Sequence, residues 1–378
     1  MTLLSPHLLQ GGSTDALALM HAVFCPVVKL VDDFGPAAEF RAIRPDVLVI
    51  GRVYETNDVM AEFRNGKTAE VAAQEFINRQ TPTYLLNPQI SIWEGPNESV
   101  IDWVDPPPGQ ALTALASQAQ IDAMRWYCLF EVERLRLLSL IGCQGVVCNF
   151  GVGHPKHLTL WREANLLAQA VAWYDGYWGV HEYQNVADSG AWGWKFLRVG
   201  FIEQMLSRLG YPFQPFIVTE CGTESAWTGQ ASVVGYAAHL ANYDFGLLSL
   251  RTRPENPVNI LGACLFTFGQ PWNGFEVDGT GLVAVLVPLI TPNVIEEPPT
   301  VPPIPPPVSD GATHTVTASV LNVRAHPYLT IAPPLLYQLK FGARVRVCAS
   351  FTCHNGQTWG YIAEAGNEWV NMRYLAAL

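Results

Sequence analysis

What this chain has little of narrows its nature first. Only 15% of its 378 residues are charged, and 22 Lys plus Arg face 33 Asp plus Glu, for a formal net charge of −11. That balance offers no basic face for nucleic acid or for an anionic membrane surface. The longest apolar stretch, Gly281 to Ile290, is too short to span a bilayer. The eight cysteines contain no Cys-x-x-Cys pair and no zinc-like spacing, so neither a metal nor a cofactor is expected. The opening Met1-Thr2-Leu3-Leu4-Ser5-Pro6 has no basic start and no continuous apolar segment, so no signal peptide is visible. No Gly-rich phosphate turn follows the first expected strand, which argues against a doubly wound dinucleotide fold.

Apolar and aromatic residues are what the chain does have. Hydrophobic residues make up 49%, enough for a large core, and 12 Trp, 13 Tyr and 17 Phe exceed what packing alone demands. Surplus rings suit flat apolar ligands such as pyranose faces. Cys25, Cys148, Cys221 and Cys264 lie in apolar runs, where a free thiol behaves as a small hydrophobe. Cys348 and Cys353 flank a short segment and would be able to pair in an oxidising compartment.

A break in composition divides the chain. From Pro292 to Pro307, eight of sixteen residues are Pro. Such a run favours extended polyproline II, at roughly 3.1 Å per residue a spacer of about 50 Å. Residues 1–290 carry 17 Lys/Arg against 28 Asp/Glu, whereas residues 312–378 carry 5 against 2, so the small C-terminal part is mildly basic. The expected organisation is a large domain over 1–290, a linker over 291–311 and a small domain over 312–378.

In the large part, strands are expected near His7–Gly11, Val27–Val31, Val47–Gly51, Gln89–Trp93, Gly145–Asn149, Gly179–Tyr183, Phe216–Glu220 and Leu261–Phe268. Helical periodicity runs between them, clearest from Leu112 to Ile141, where Met124, Cys128, Val132, Leu135 and Leu138 recur three and four apart. Eight strands alternating with helices over about 290 residues point to an α/β fold, a (β/α)8 TIM barrel. After the linker, Ser319–Arg324, Ala343–Val347 and Trp359–Ile362 alternate apolar and polar, which points to a small all-β barrel.

Two carboxylates carry the chemistry. The fourth expected strand ends in Trp93-Glu94-Gly95-Pro96-Asn97-Glu98, and the seventh ends in Thr219-Glu220-Cys221-Gly222. In a parallel barrel the active site lies at the C-terminal strand ends. A pair of carboxyl groups there is what hydrolysis of a glycosidic bond requires, one to protonate the leaving oxygen and one to attack or stabilise the sugar carbon. Glu94, inside the strand, is expected to be a buried structural carboxylate. Glu182 should point away from the site, and Glu224 falls past the strand in a loop.

With Trp-Glu-x-x-Asn-Glu after the fourth strand and a lone Glu at the seventh, residues 1 to about 290 resemble the clan A glycoside hydrolases. The resemblance implies a retaining mechanism with Glu98 as acid/base and Glu220 as nucleophile. It further implies that Asn97 contacts the sugar 2-hydroxyl, that Tyr183 hydrogen-bonds the nucleophile and that Trp272 forms a stacking floor. His181 and Trp93 join them as substrate-binding candidates, and Arg52 is expected to hold Glu220 ionised. Ser99 stands where the family often has Pro. Trp192, Trp194 and Trp227 are candidates for outer sugar subsites or for helix packing.

The C-terminal part resembles bacterial SH3 domains of the wall-targeting type. The resemblance rests on Leu321-Asn322-Val323-Arg324 with Pro327, on Gly342 before a Val-rich strand, on Trp359-Gly360-Tyr361-Ile362, and on Trp369-Val370 ahead of Tyr374-Leu375. It implies peptidoglycan or another cell-surface ligand as partner, beside a carbohydrate substrate for the barrel. An extracellular or wall-associated location is the expectation, with a cytoplasmic one left open. The competing expectation for the whole chain is a non-catalytic carbohydrate- or wall-binding protein built on a degenerate barrel.

Overall fold

The structure is a computed structural model of the chain. It describes residues 2–55, 58–99, 101, 116–188, 195–291, 312–317, 320–324, 335–341, 343–352, 358–362, 368–371 and 375–377. The Pro-rich run, Trp192, Trp194, Pro327, Gly342, Cys353 and Tyr374 lie outside the described residues. The chain divides into two compact units, Met1–Asn293 and Val294–Leu378.

The first unit is a closed barrel of eight parallel strands in sequence order. They are β1 (Leu4–Leu8), β2 (Val27–Val31), β3 (Leu48–Arg52), β4 (Ile92–Glu94), β5 (Gln144–Phe150), β6 (Tyr177–Tyr183), β7 (Phe216–Gly222) and β8 (Ile260–Phe268). β1 pairs with β8 to close the ring. The first strand lies three residues earlier than its hydrophobicity suggests. Ser5 and Pro6, both within it, hide its apolar signal.

Helices α1 (Thr14–Ala22), α2 (Ala37–Ile43), α3 (Val59–Arg64), α4 (Ala69–Leu86), α5 (Gln118–Leu140), α6 (Asn165–Trp173), α7 (Val199–Arg208), α8 (Val233–Arg251) and α9 (Leu282–Ile290) form the outer layer. Several begin at side chains that satisfy the free amides of a helix start. Ser13, Asp58, Thr68 and Ser232 each accept from the first turn, and Ser117 with Gln120 forms a reciprocal capping box. Among the described residues, no helix is long and apolar enough to cross a membrane.

The core sits mostly between strands and helices, where Trp93, Trp161, Trp178, Phe130 and Tyr127 are fully buried. A second, smaller cluster fills the barrel interior with Val27, Ile50, Ile92, Val146, Ile217 and Cys264. Those six residues come from six strands and form a dry plug. Cys25, Cys128, Cys143, Cys148, Cys221 and Cys264 are free thiols. Burial pushes the thiols of Cys148 and Cys221 well up, as expected of inert packing groups.

The second unit contains a seven-stranded sheet with neighbour order β11-β10-β14-β13-β12-β9-β15. These strands are β9 (Ala312–Val316), β10 (Val320–Arg324), β11 (Leu335–Lys340), β12 (Arg344–Thr352), β13 (Thr358–Ile362), β14 (Glu368–Asn371) and β15 (Leu375–Ala377). Their pairings are antiparallel. The three strands expected there from alternation are all present.

Candidate active site

Alternation along each strand places the site. Side chains two residues apart share a face, so the residues two positions beyond the interior plug line the barrel mouth. Val27 leads to Lys29, Ile50 to Arg52, Ile92 to Glu94 and Cys264 to Phe266. On β1 and β6, His7 and His181 follow the inward-facing Ser5 and Gly179. A charged ring therefore caps the apolar one.

Two β-bulges adjust this ring. On β7, Val218 pairs with Val180 and Glu220 pairs with His181, so Thr219 is an extra residue. Strict alternation from Ile217 would turn Glu220 outward, and the bulge turns it in. On β5 a register shift between Val147 and Phe150 leaves another extra residue, and Cys148 takes a left-handed φ of 60°. Asn149 then points inward, with its Oδ1 accepting from the Thr219 hydroxyl at 3.1 Å. A side chain at Gly179 would place its Cβ 1.8 Å from that same Oδ1, so only glycine fits there.

The loop after β4 is anchored from below. Arg134 of α5 pairs with Glu131 at 2.6 Å and donates to the Val146 carbonyl at 2.6 Å. Gly95 lies on this guanidinium, where a Cβ would come within 2.7 Å of Nη2. The chain then reaches Glu98, whose amide donates to the Asn149 carbonyl at 2.8 Å and whose φ is 47°. This strained turn lifts Glu98 above the ring and leaves its side chain 48% exposed.

Glu220 is the hub. Its Oε1 receives Lys29 Nζ at 2.8 Å and Arg52 Nη1 at 3.0 Å, and its Oε2 receives the Tyr183 hydroxyl at 2.6 Å. His181 Nδ1 lies 3.5 Å from Glu220 Oε2 and 3.1 Å from Glu98 Oε1. Glu94 is fully buried, with Oε2 2.7 Å from Lys29 Nζ and Oε1 3.7 Å from His181 Nε2. The Lys29 contact is an ion pair without hydrogen-bond geometry.

Charges in this dry ring set one another. Burial opposes ionisation of Glu220, but the charges of His181, Lys29 and Arg52 outweigh it and hold the carboxyl well below its usual range. Burial likewise opposes the His181 charge, yet Glu220, Glu94 and Glu98 raise the imidazole to about 9. Burial, with Lys29 adding to it, keeps the His7 imidazole well below its ordinary value and hence neutral. Burial and Glu220 push the Tyr183 phenol well up, so it remains a donor.

Donor atoms of Glu94, His181 and Glu220 lie within 4.8 Å of one another, close enough to share a cation. The Lys29 ammonium already takes that position, bridging two of the three carboxyl and imidazole groups.

The structure thus brings together Glu98, Glu220, His181, Tyr183 and Arg52. Asn97 stands beside them, half-buried, with its Oδ1 lacking a hydrogen-bond partner. Trp93 does not join them. It is fully buried on the outer side of β4, stacked on Tyr84 at 4.2 Å and edge-on to Phe34 at 5.0 Å. Glu94 takes the inward position, so strand alternation sends its neighbour Trp93 into the helix layer.

Trp272 sits in the turn after β8, 46% exposed, its amide bonded to Glu276. The ring that faces the site from β8 is Phe266, half-buried and 6.1 Å from Tyr183 and 5.0 Å from His7. Trp227 is a packing residue, buried and stacked on Tyr236 at 4.8 Å. Glu182 points outward and accepts from the amides of Leu197 and Val199 and from Tyr243. Glu224 is tied to Lys195 at 2.5 Å.

Lys29, His7 and Phe266 are the site groups that sequence reading missed. A lysine inside the apolar run Val27-Val28-Lys29-Leu30-Val31 was the available signal, because a charge amid a buried strand requires a partner.

No protein-family model matches the chain, and no curated protein matches it either. Solved structures of similar shape include a β-1,3-glucanase and pollen allergen of Cryptomeria japonica, 13% identical, with a TM-score of 0.42 over 73% of this chain and 95% of that one. Another is an endo-β-1,4-mannanase from Thermotoga petrophila, 9% identical, with a TM-score of 0.42 over 98% of this chain and 97% of that one. A family 1 β-glucosidase from Exiguobacterium antarcticum is 11% identical, with a TM-score of 0.36 over 72% of this chain and 84% of that one. Similarity at this level says nothing about activity.

Proposed function

We propose that the barrel unit is a retaining glycoside hydrolase in which Glu220 is the nucleophile and Glu98 the acid/base. The observation that carries this reading is the imidazole edge shared by the two carboxyl groups. One nitrogen, His181 Nδ1, is 3.1 Å from Glu98 Oε1 and 3.5 Å from Glu220 Oε2, so these oxygens are no more than about 6.6 Å apart. That bound admits the roughly 5–5.5 Å of retaining enzymes and reaches only the near edge of the about 6.5–9.5 Å that inverting ones need to admit a water.

In this reading Glu220 attacks the anomeric carbon while the leaving oxygen takes the proton of Glu98. A glycosyl ester on Glu220 results. The Glu98 carboxylate then draws a proton from water, the oxygen of that water attacks the same carbon, and Glu220 leaves as carboxylate. Lys29 and Arg52 keep the nucleophile ionised, and Tyr183 orients it. Asn97, the neighbour of Glu98, is assigned the sugar 2-hydroxyl, and Phe266 supplies a face for the ring. The chemistry needs no cofactor or metal.

We assign the C-terminal unit the role of a tether that binds peptidoglycan or another cell-surface ligand, which fits an extracellular or wall-associated enzyme acting on a polysaccharide. A panel of aryl glycosides with the full chain tests the activity. Turnover with retained anomeric configuration supports the reading, as does a covalent adduct on Glu220 from a 2-deoxy-2-fluoro glycoside. Inversion overturns the assignment of Glu220 as nucleophile. Absence of turnover across the panel favours a carbohydrate-binding protein on a degenerate barrel.

A further inference from the structure

Glu94 has no part in the two-carboxylate reaction, yet it sits at the centre of the charged ring. A buried carboxylate costs several kcal/mol unless it is paired, and a merely structural one would pair away from the reacting groups, as Glu182 and Glu131 do. Glu94 instead contacts two groups that themselves contact Glu220. These are Lys29, 2.7 Å from Oε2, and His181, 3.7 Å from Oε1.

The two oxygens of Glu220 are not equivalent. Oε1 carries both cations, Lys29 at 2.8 Å and Arg52 at 3.0 Å. Oε2 accepts only the Tyr183 hydroxyl and faces the His181 nitrogen that also touches Glu98. Oε2 therefore lies on the Glu98 side, where the scissile bond must sit. We propose that Glu94 is a positioning residue that anchors the Lys29 ammonium on Glu220 Oε1 and so reserves Oε2 for attack on the sugar. The proposal rests on the glycosidase reading of Glu220.

The physical argument is one of a flexible cation needing two anchors. A lysine has a four-carbon stem and a point charge without directional preference. Bound to Glu220 alone, its ammonium is free to slide to either oxygen. A second carboxylate on the far side fixes it. The charged or titratable groups facing Glu94 and Glu220 are His7 from β1, Lys29 from β2, Arg52 from β3, His181 and Tyr183 from β6, and Glu98 from the loop after β4. The inward residues Asn149 of β5 and Phe266 of β8 are uncharged. With Gln at position 94, Lys29 and Arg52 both draw on Glu220 without opposition. That makes Glu220 a weaker nucleophile that stays ionised to lower pH.

The test is Glu94→Gln in the full chain, with three measurements. An imidazole 15N titration, which needs no substrate, should show the His181 midpoint falling from about 9. On 2,4-dinitrophenyl β-cellobioside and β-mannobioside, kcat per folded enzyme should fall about 10–100-fold with KM little changed, as for a misplaced reacting group. The acid limb of kcat/KM should move to lower pH. A double variant, Lys29→Met with Glu94→Leu, removes the pair at similar volume and should keep a native far-ultraviolet spectrum while remaining slow.

An unmoved His181 midpoint overturns the proposal. So does an unchanged kcat and acid limb in Glu94→Gln, or wild-type kcat in the double variant. Wild-type inactivity on the whole panel retires the glycosidase reading instead, and is thereby distinguished from failure of the Glu94 role.

Discussion

Two rings of side chains are stacked in the barrel, two residues apart on β2, β3 and β4, and they have opposite chemistry. The lower ring, Val27, Ile50, Ile92, Val146, Ile217 and Cys264, is apolar and closed. The upper ring, His7, Lys29, Arg52, Glu94, His181 and Glu220, is buried and polar, and all of it but His7 carries charge. The lower ring excludes water and closes the barrel. Because it does, every charge above it lies in a low-dielectric floor where pairings are strong and unpaired groups are costly. Stability and chemistry are thus separated by about 7 Å of strand, two residues of rise.

Substitutions in the two rings should break along that line. The largest effect is expected from Glu220→Gln, which removes the proposed nucleophile and should lower kcat by about 10⁴-fold or more while the far-ultraviolet spectrum stays native. Glu98→Ala should come next and should discriminate by substrate. Loss of general acid help is worth about 10²–10⁴-fold on poor leaving groups and much less on dinitrophenyl ones. Equal losses on both substrates would remove Glu98 from the acid role.

A lower-ring change should do the reverse. Ile217→Ala leaves a cavity in a fully buried position and should cost about 2–5 kcal/mol in denaturant unfolding, with kcat per folded molecule near wild type. Loss of kcat without loss of stability would show that the rings are not separable.

Raising the pH sharpens the contrast more gently. The His181 imidazole is raised above its unfolded value to about 9, so the stability it contributes is fully present below about 6.5. It fades as pH rises through about 9, leaving Glu94, Glu98 and Glu220 around a neutral ring. In wild type, Tm should fall between about pH 6.5 and 9 and activity around pH 9, and both falls should vanish in His181→Gln. Glu220 is held well below 4.5, so its own contribution persists above its unfolded value and is lost only in strong acid.

The smallest effect should come from removing the C-terminal unit. A chain ending at Thr291 should hydrolyse a small soluble glycoside within about 2-fold of the full chain, since a tether raises local concentration at a surface without adding a group to the site. Unfolding of that shortened barrel would contradict this.

Much of the architecture was legible in the sequence because it is written in local patterns. Eight apolar strands with helices between them dictate a parallel sheet whose two faces are both covered. Glu98, Glu220, His181, Tyr183 and Arg52 were legible as strand-end residues, since strand ends meet at one face of a barrel. Trp93 was misread as a substrate contact because an aromatic beside two carboxylates suggests a sugar platform, whereas its strand position faces the helices. Phe266 went unnoticed for the same reason in reverse, an ordinary apolar residue inside a strand.

By itself, then, the sequence determined which residues bear charge, which strand each occupies and hence which end of the barrel they reach. Only the tertiary structure decided that Glu220 faces inward, because the bulge at Thr219 breaks the alternation that a linear reading assumes. Tertiary structure likewise decided that Lys29 lies between Glu94 and Glu220, residues 65 and 191 positions away in the chain. Pairing of buried charges follows from three-dimensional distance and dielectric, and neither quantity is encoded in any short stretch of sequence.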